Sequence, residues 1–191
     1  MGIRRALEYF QFECYKEIYH LKLESIFVLR QISFRKMSLD DYKKKRDFSK
    51  TREPAQSKKK KVSDKLVYVI QRHQASHLHF DLRLEEEGVL KSWAIPKNPP
   101  QETGVRRLAV QTEDHPLGYE DFEGVIPEGE YGAGKVEAWD RGHYLSLEET
   151  PSKKVIEIRG RKLQGRYALI KLKVNDPEDK NWLFFKLKES Q

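Results

Sequence analysis

An all-β domain, a barrel or a sandwich, is what residues 65–191 predict. Three observations lead there: eight short runs rich in β-branched and aromatic residues, turn residues between them, and strict apolar/polar alternation in the clearest run. The runs cover 66–72, 78–85, 89–95, 106–113, 134–140, 154–159, 166–174 and 182–188, with turn residues at 96–104, 116–134 and 175–180. Glycine and proline gather in 116–134, which reads as a long ordered loop. Upstream, Ser38 is placed to cap a short helix that runs to about Lys45, with Asp41 three residues on. Residues 37–64 then form a basic helical arm and linker. Residues 1–36 follow neither a helical nor a strand period, and Met37 reads as the working start, with 1–36 an upstream extension.

Charged residues make up 35% of the 191 and apolar residues 38%, which describes a polar chain with a modest core. The single cysteine, Cys14, excludes an intramolecular disulfide framework and fits a reducing cytoplasm. Apolar runs are short and broken by charge, so no membrane span is expected. Between Asp41 and Lys61 there are ten Lys/Arg against three carboxylates, an excess equal to the whole chain's net charge of +7. A basic arm on a neutral body points to a polyanion, most simply nucleic acid, although Lys58–Lys61 alone would also suit a solvated linker.

The window 71–84 carries the chemistry. Leu78, Phe80, Leu82 and Leu84 alternate with His79, Asp81 and Arg83, so a strand would set the three polar side chains in a row on one face. His73, six residues before His79, is close enough for a bend to bring its imidazole to the same point. Two imidazoles and one carboxylate suit Mn, Fe or Zn with coordination positions left open, and Arg83 is placed to hold an anion beside them. The polar face of an amphipathic strand would look the same in isolation. A non-catalytic module would require a fourth ligand to close the site, and His77 is the nearby candidate.

Glu113-Asp114-His115-Pro116 directly follows a strand, where His115 could contact a phosphate or protonate a leaving oxygen and Tyr119 could add a hydrogen bond. A turn with an incidental histidine is the plain alternative. Of Arg106 and Arg107, which open that strand, one is expected to face the site, and Lys97 is a further candidate cation. The stretch Gly129–Lys135 has the spacing of a phosphate-binding loop. It is rejected, because Val136 replaces the required Ser/Thr and the chain continues as a strand.

Five blocks occur in order: Lys45-Arg46-Asp47-Phe48 with Glu53-Pro54; Gln71 through Glu85; Gly88 through Ala94; Glu113 through Leu117; and Phe122 through Gly134. Together they resemble the 3′-phosphoesterase domain of bacterial DNA ligase D and its stand-alone relatives, from about Leu39 to the C-terminus. The resemblance implies a small β-barrel and a manganese-dependent enzyme, with Co²⁺ or Zn²⁺ as substitutes. Its substrates would be DNA 3′ ends, namely primer-templates carrying a 3′-phosphate or a 3′-terminal ribonucleotide, which it converts to 3′-OH ends for end-joining repair. By motif, His73, His79 and Asp81 would hold the metal. Arg83, His115 and Tyr119, with Arg107 and Lys97, would hold the scissile phosphate. Arg46, Asp47, Glu53 and Glu113 would serve the ribonucleotide-removing step. Arg52 departs from the family pattern, so the turn presenting Glu53 is expected to differ. With no ligase domain in these 191 residues, a separate DNA ligase would act in trans.

Overall fold

In the computed structural model, residues 39–58, 65–173, 175–176 and 178–188 are described. The extension 1–36, Ser38 and Lys59–Lys61 lie outside them. The described residues begin with a short helix, α1 (Asp40–Lys44), with Leu39 at the capping position and no side-chain cap bond. Ten strands follow: β1 (Leu66–Gln74), β2 (Leu78–Glu86), β3 (Val89–Ile95), β4 (Arg106–Gln111), β5 (His115–Pro116), β6 (Gly124–Ile126), β7 (Gly134–Thr150), β8 (Lys153–Gly160), β9 (Gln164–Lys171) and β10 (Asn181–Lys186). One 3₁₀ turn spans Tyr119–Asp121.

Eight of these close an antiparallel barrel in the order β1-β2-β3-β4-β10-β9-β8-β7, with β7 returning to pair with β1. The short β5 and β6 pair on β3 and β7 outside that circuit. The expected barrel is therefore present. Its main departure from expectation is the length of β7, which continues through Thr150 to pair with β8. Sharp connections set the register. Glu87 and Gly88 both take positive φ in the two-residue β2–β3 turn, the geometry whose twist suits a hairpin. Trp139 is the extra residue where β7 shifts register against β1. Beside it the buried carboxylate of Asp140 accepts the Tyr68 hydroxyl at 2.9 Å and the amides of Arg161, Lys162 and Leu163 at 2.8–3.0 Å, anchoring the β8–β9 turn.

Every barrel strand contributes to one apolar interior that includes Tyr68, Ile70, Phe80, Leu82, Leu84, Trp93, Ile156, Tyr167 and Phe184. A second, smaller cluster lies on the outside of β1–β3: Tyr42 from α1 packs with Leu90, Leu117, Tyr119, Phe122, Ile126 and Val136. The alternation read in β2 is thus real on both faces. Phe80, Leu82 and Leu84 fill the barrel, whereas Asp81 and Arg83 are also buried, because the second cluster covers the outer face.

Candidate active site

Register places the polar residues. Across β1 and β2, His73 lies opposite His79 and Gln71 opposite Asp81; across β2 and β3, Arg83 lies opposite Ser92. Directly paired residues share a face at short range, so this ladder alone gathers six polar side chains on the outside of the barrel.

At its open end His73 Nδ1 stands 3.6 Å from Asp81 Oδ2, and His79 Nε2 stands 3.6 Å from Asp81 Oδ1. The ring centroids of the two histidines are 4.7 Å apart. The other nitrogen of each ring is already committed. His73 Nε2–H donates to the Gly132 carbonyl at 2.8 Å, and His79 Nδ1–H donates to the His77 carbonyl at 2.9 Å. Both acceptors are carbonyls, so the tautomers are fixed and the two lone pairs face the carboxylate. One donor atom from each of the three residues lies within 4.8 Å of the others. These separations suit ligands about 2.0–2.2 Å from a shared ion, and three ligands leave positions open. The residues fit a divalent metal. His77 itself is exposed and offers its backbone carbonyl, so it does not close the site.

Gly132 and Gly134 build this end. Gly132, at φ +78, turns its carbonyl onto His73. Gly134, at φ +139, runs so close to β1 that a Cβ would sit 2.3 Å from the Gln74 carbonyl oxygen. Of the glycines that mimic a phosphate loop in sequence, Gly132 thus meets His73 and Gly134 packs its strand against the end of β1.

Arg83, 3% exposed, is the hinge between the triad and a buried cluster. Its Nη2 donates to Asp81 at 3.1 Å, Nε to Gln71 at 2.7 Å and Nη1 to the Ser92 hydroxyl at 2.9 Å, and its guanidinium lies 4.5 Å over the Tyr119 ring. These bonds engage three of its five N–H groups. Burial alone would raise the Asp81 carboxyl, but the Arg83 guanidinium beside it holds it below the usual carboxylate range.

His115 follows through Ser92, whose hydroxyl is 3.2 Å from His115 Nδ1. That nitrogen donates to the Glu113 carbonyl at 2.9 Å, so it carries the proton, and Nε2 accepts from Arg46 Nη2 at 3.3 Å. Burial, with Arg83 and Arg46 on either side, pushes the imidazole well below its ordinary value and keeps it neutral. Arg46 also donates to Glu53 at 2.8 Å and to Glu113 at 3.2 Å. The Tyr119 hydroxyl donates to the same Glu53 oxygen at 2.8 Å. Burial, with Glu53 beside it, lifts the Tyr119 phenol well above its ordinary value despite Arg83, so it stays a neutral donor.

Nine of the twelve candidate residues therefore form one connected group: His73, His79, Asp81, Arg83, His115, Tyr119, Arg46, Glu53 and Glu113. Three do not join it. Asp47 is exposed and accepts from the Ser49 amide and hydroxyl at 3.1 and 2.6 Å, shaping the turn that leads to Glu53. Arg107 pairs opposite the core residue Phe184, so its side chain leaves β4 on the inward side, where Nε reaches the Asn98 carbonyl at 2.8 Å. Its neighbour Arg106 lies by the Phe185 ring, 5.5 Å away. Lys97 is exposed on the loop after β3, at the barrel end that carries His79. Arg52, expected to alter the turn, is exposed, while the flanking Thr51 and Glu53 are buried and joined by a 3.0 Å hydrogen bond. Gln71 and Ser92 went unassigned in the sequence reading. Gln71 could have been found from its period-2 spacing to His73, and Ser92 only from the register that sets it against Arg83.

A model of the DNA ligase D 3′-phosphoesterase domain matches residues 71–171, which span every strand named above except β10 and the start of β1. The chain belongs to the DNA ligase D 3′-phosphoesterase domain family. It is 46% identical over 160 residues to the multifunctional non-homologous end joining protein LigD of Pseudomonas aeruginosa, covering 80% of this chain and 19% of that protein. With the multifunctional non-homologous end joining DNA repair protein LigD of Mycobacterium tuberculosis H37Rv it shares 45% identity over 157 residues, 80% of this chain and 20% of the relative. The corresponding protein of Mycolicibacterium smegmatis is 43% identical over 164 residues, 80% and 21% respectively. The phosphoesterase-domain chain thus spans about a fifth of the length of these relatives. Among the described residues no helix is long and apolar enough to cross a membrane.

Proposed function

We propose that this domain is a metal-dependent phosphoesterase that heals DNA 3′ ends in end-joining repair. It removes a 3′-terminal ribonucleoside to leave a 3′-phosphate, then removes the phosphate to leave a 3′-OH for a separate ligase. The observation that carries this reading is the continuity of the site. An open N/N/O triad is joined through Arg83 and Ser92 to a neutral buried histidine.

His73, His79 and Asp81 would hold the ion, manganese by family resemblance, which when bound supplies Lewis acidity to a phosphate oxygen. Arg83 would hold further oxygens of the same phosphate. In the first step a water oxygen bonds to phosphorus, the P–O5′ bond breaks, and the nucleoside leaves with a proton on O5′. In the second step water replaces the 3′-oxygen, which leaves as the 3′-OH. His115 would be the proton carrier: the proton released as the water oxygen bonds to phosphorus is taken up at Nε2, the ring nitrogen without one, and passed to the leaving oxygen, worth roughly 10²–10⁴-fold. Arg46, Glu53 and Glu113 serve the ribonucleoside step.

The test is turnover of primer-templates ending in a 3′-phosphate or a single 3′ ribonucleotide, with Mn²⁺, Co²⁺ or Zn²⁺ and with His79→Ala as control. Metal-dependent conversion of both to 3′-OH, lost in the variant, supports the reading. No turnover with any of the three ions overturns it.

A further inference from the structure

We propose that Tyr131 is the platform on which the base of the departing 3′-terminal ribonucleoside stacks, and that the hollow beside it receives that nucleoside. This rests on the two-step reading above and adds to it the part that grips the leaving group.

Tyr131 is 49% exposed, although it belongs to a loop pinned at both ends. The next residue, Gly132, hands its carbonyl to His73, so the ring is one residue from an atom that orients a metal ligand. On its other side the ring meets the cluster. Arg46 lies 5.5 Å and Lys45 4.8 Å from its centroid, and Lys45 Nζ bridges the Tyr131 hydroxyl at 3.4 Å and Glu113 at 3.0 Å. An exposed aromatic ring held between the triad and the ribonucleoside-step residues has no packing role that calls for it to stay half in solvent.

Tyr131 and Glu113 wall a hollow of about 450 Å³, within the size range of small-molecule sites, roughly 300–1,000 Å³. Three lysines, Lys45, Lys171 and Lys180, line it against three carboxylates, Asp41, Glu113 and Asp179. That balance disfavours a second phosphate. It suits a neutral, flat ligand with many hydrogen-bonding groups, which describes a nucleoside. Stacking is tolerant of base identity, because every base presents a π face.

The experiment compares wild type, Tyr131→Ala and Tyr131→Phe on the two primer-templates, adding a third whose terminal ribose lacks its base. Loss of one base-stacking contact should lower kcat/KM for ribonucleoside removal about 5- to 150-fold in Tyr131→Ala. Tyr131→Phe should retain it, and 3′-phosphate removal should be unchanged. On the baseless terminus wild type should be slowed to the level of Tyr131→Ala, and the variant should lose nothing more. Wild-type removal of the intact ribonucleoside by Tyr131→Ala overturns the assignment. So does an equal loss in 3′-phosphate removal, which would mean that the loop serves the triad. If wild type itself acts on neither end, the two-step reading has failed and takes this one with it.

Discussion

Replacing Arg83 separates two roles that one side chain performs. Arg83→Met removes the cation beside a buried carboxylate and three hydrogen bonds, at a position 3% exposed. Breaking a buried ion pair from one side costs about 3–5 kcal/mol, chiefly because Asp81 is left uncompensated. Arg83→Lys keeps a charge within reach of Asp81 but loses the fork, leaving Gln71 Oε1 unpaired in a fully buried site. A stranded buried acceptor costs about 1–3 kcal/mol. Against a typical total of about 5–15 kcal/mol, both losses are measurable. Urea melts in chelator, followed by the fluorescence of the buried Trp93 and Trp182, would give them. Manganese should restore more stability to Arg83→Met than to wild type, since the ion then replaces the missing cation at Asp81. Equal losses in the two variants, or no extra rescue by metal, would refute the argument that Arg83 chiefly balances Asp81.

Three further outcomes are expected. Because the His115 imidazole is depressed in the folded state, the unfolded chain binds more protons below its ordinary value of about 6.5. Stability is therefore flat above that pH and falls as pH drops through it, by up to about 1.4 kcal/mol per unit, until the folded imidazole also protonates. His115→Gln should lack this slope in urea melts run across pH, and parallel curves would remove His115 as its source. In turnover assays His115→Ala should be inactive while calorimetry still records near-normal manganese binding. Wild-type-like rates in that variant would take the histidine out of the chemistry. Gly134→Ala adds a Cβ 2.3 Å from the Gln74 oxygen at a positive φ, so it should cost about 1–3 kcal/mol. It should also weaken metal binding, through the shift it forces on the loop that holds His73.

How much of this was legible depended on whether a residue's partner was local. The β2 alternation was plain because period 2 needs no knowledge of the partner strand, and it delivered His79, Asp81 and Arg83 together. The extension of β7 past Asp140 was hidden, because Gly142, His143, Ser146 and Glu148 break the apolar rhythm where one face meets solvent. Arg107 looked functional beside Arg106. Only the pairing with Phe184 shows that its side chain leaves the strand on the inward side. Arg46 and Glu53 lie far from His115 in sequence, and nothing but tertiary packing of α1 and its following turn brings them to it. Ser92 reads as an ordinary strand serine until it is set opposite Arg83.

The closed sheet has a consequence for how an ion is acquired. β1 and β2 are each hydrogen-bonded along both edges, so neither can slip a residue and turn its ligands inward. The three donors are in place once the barrel has folded, and their tautomers are set by carbonyls of the same scaffold. On the proposed reading, metal arrival would complete the catalyst without creating the fold, unlike in small domains that are shaped by their zinc. Chelation should silence such a protein while leaving it folded and ready to reload. The same readiness would remove shape as a filter: a cage built in advance would accept any divalent ion that suits two imidazoles and a carboxylate, and which one it carried would follow from what the cell offers.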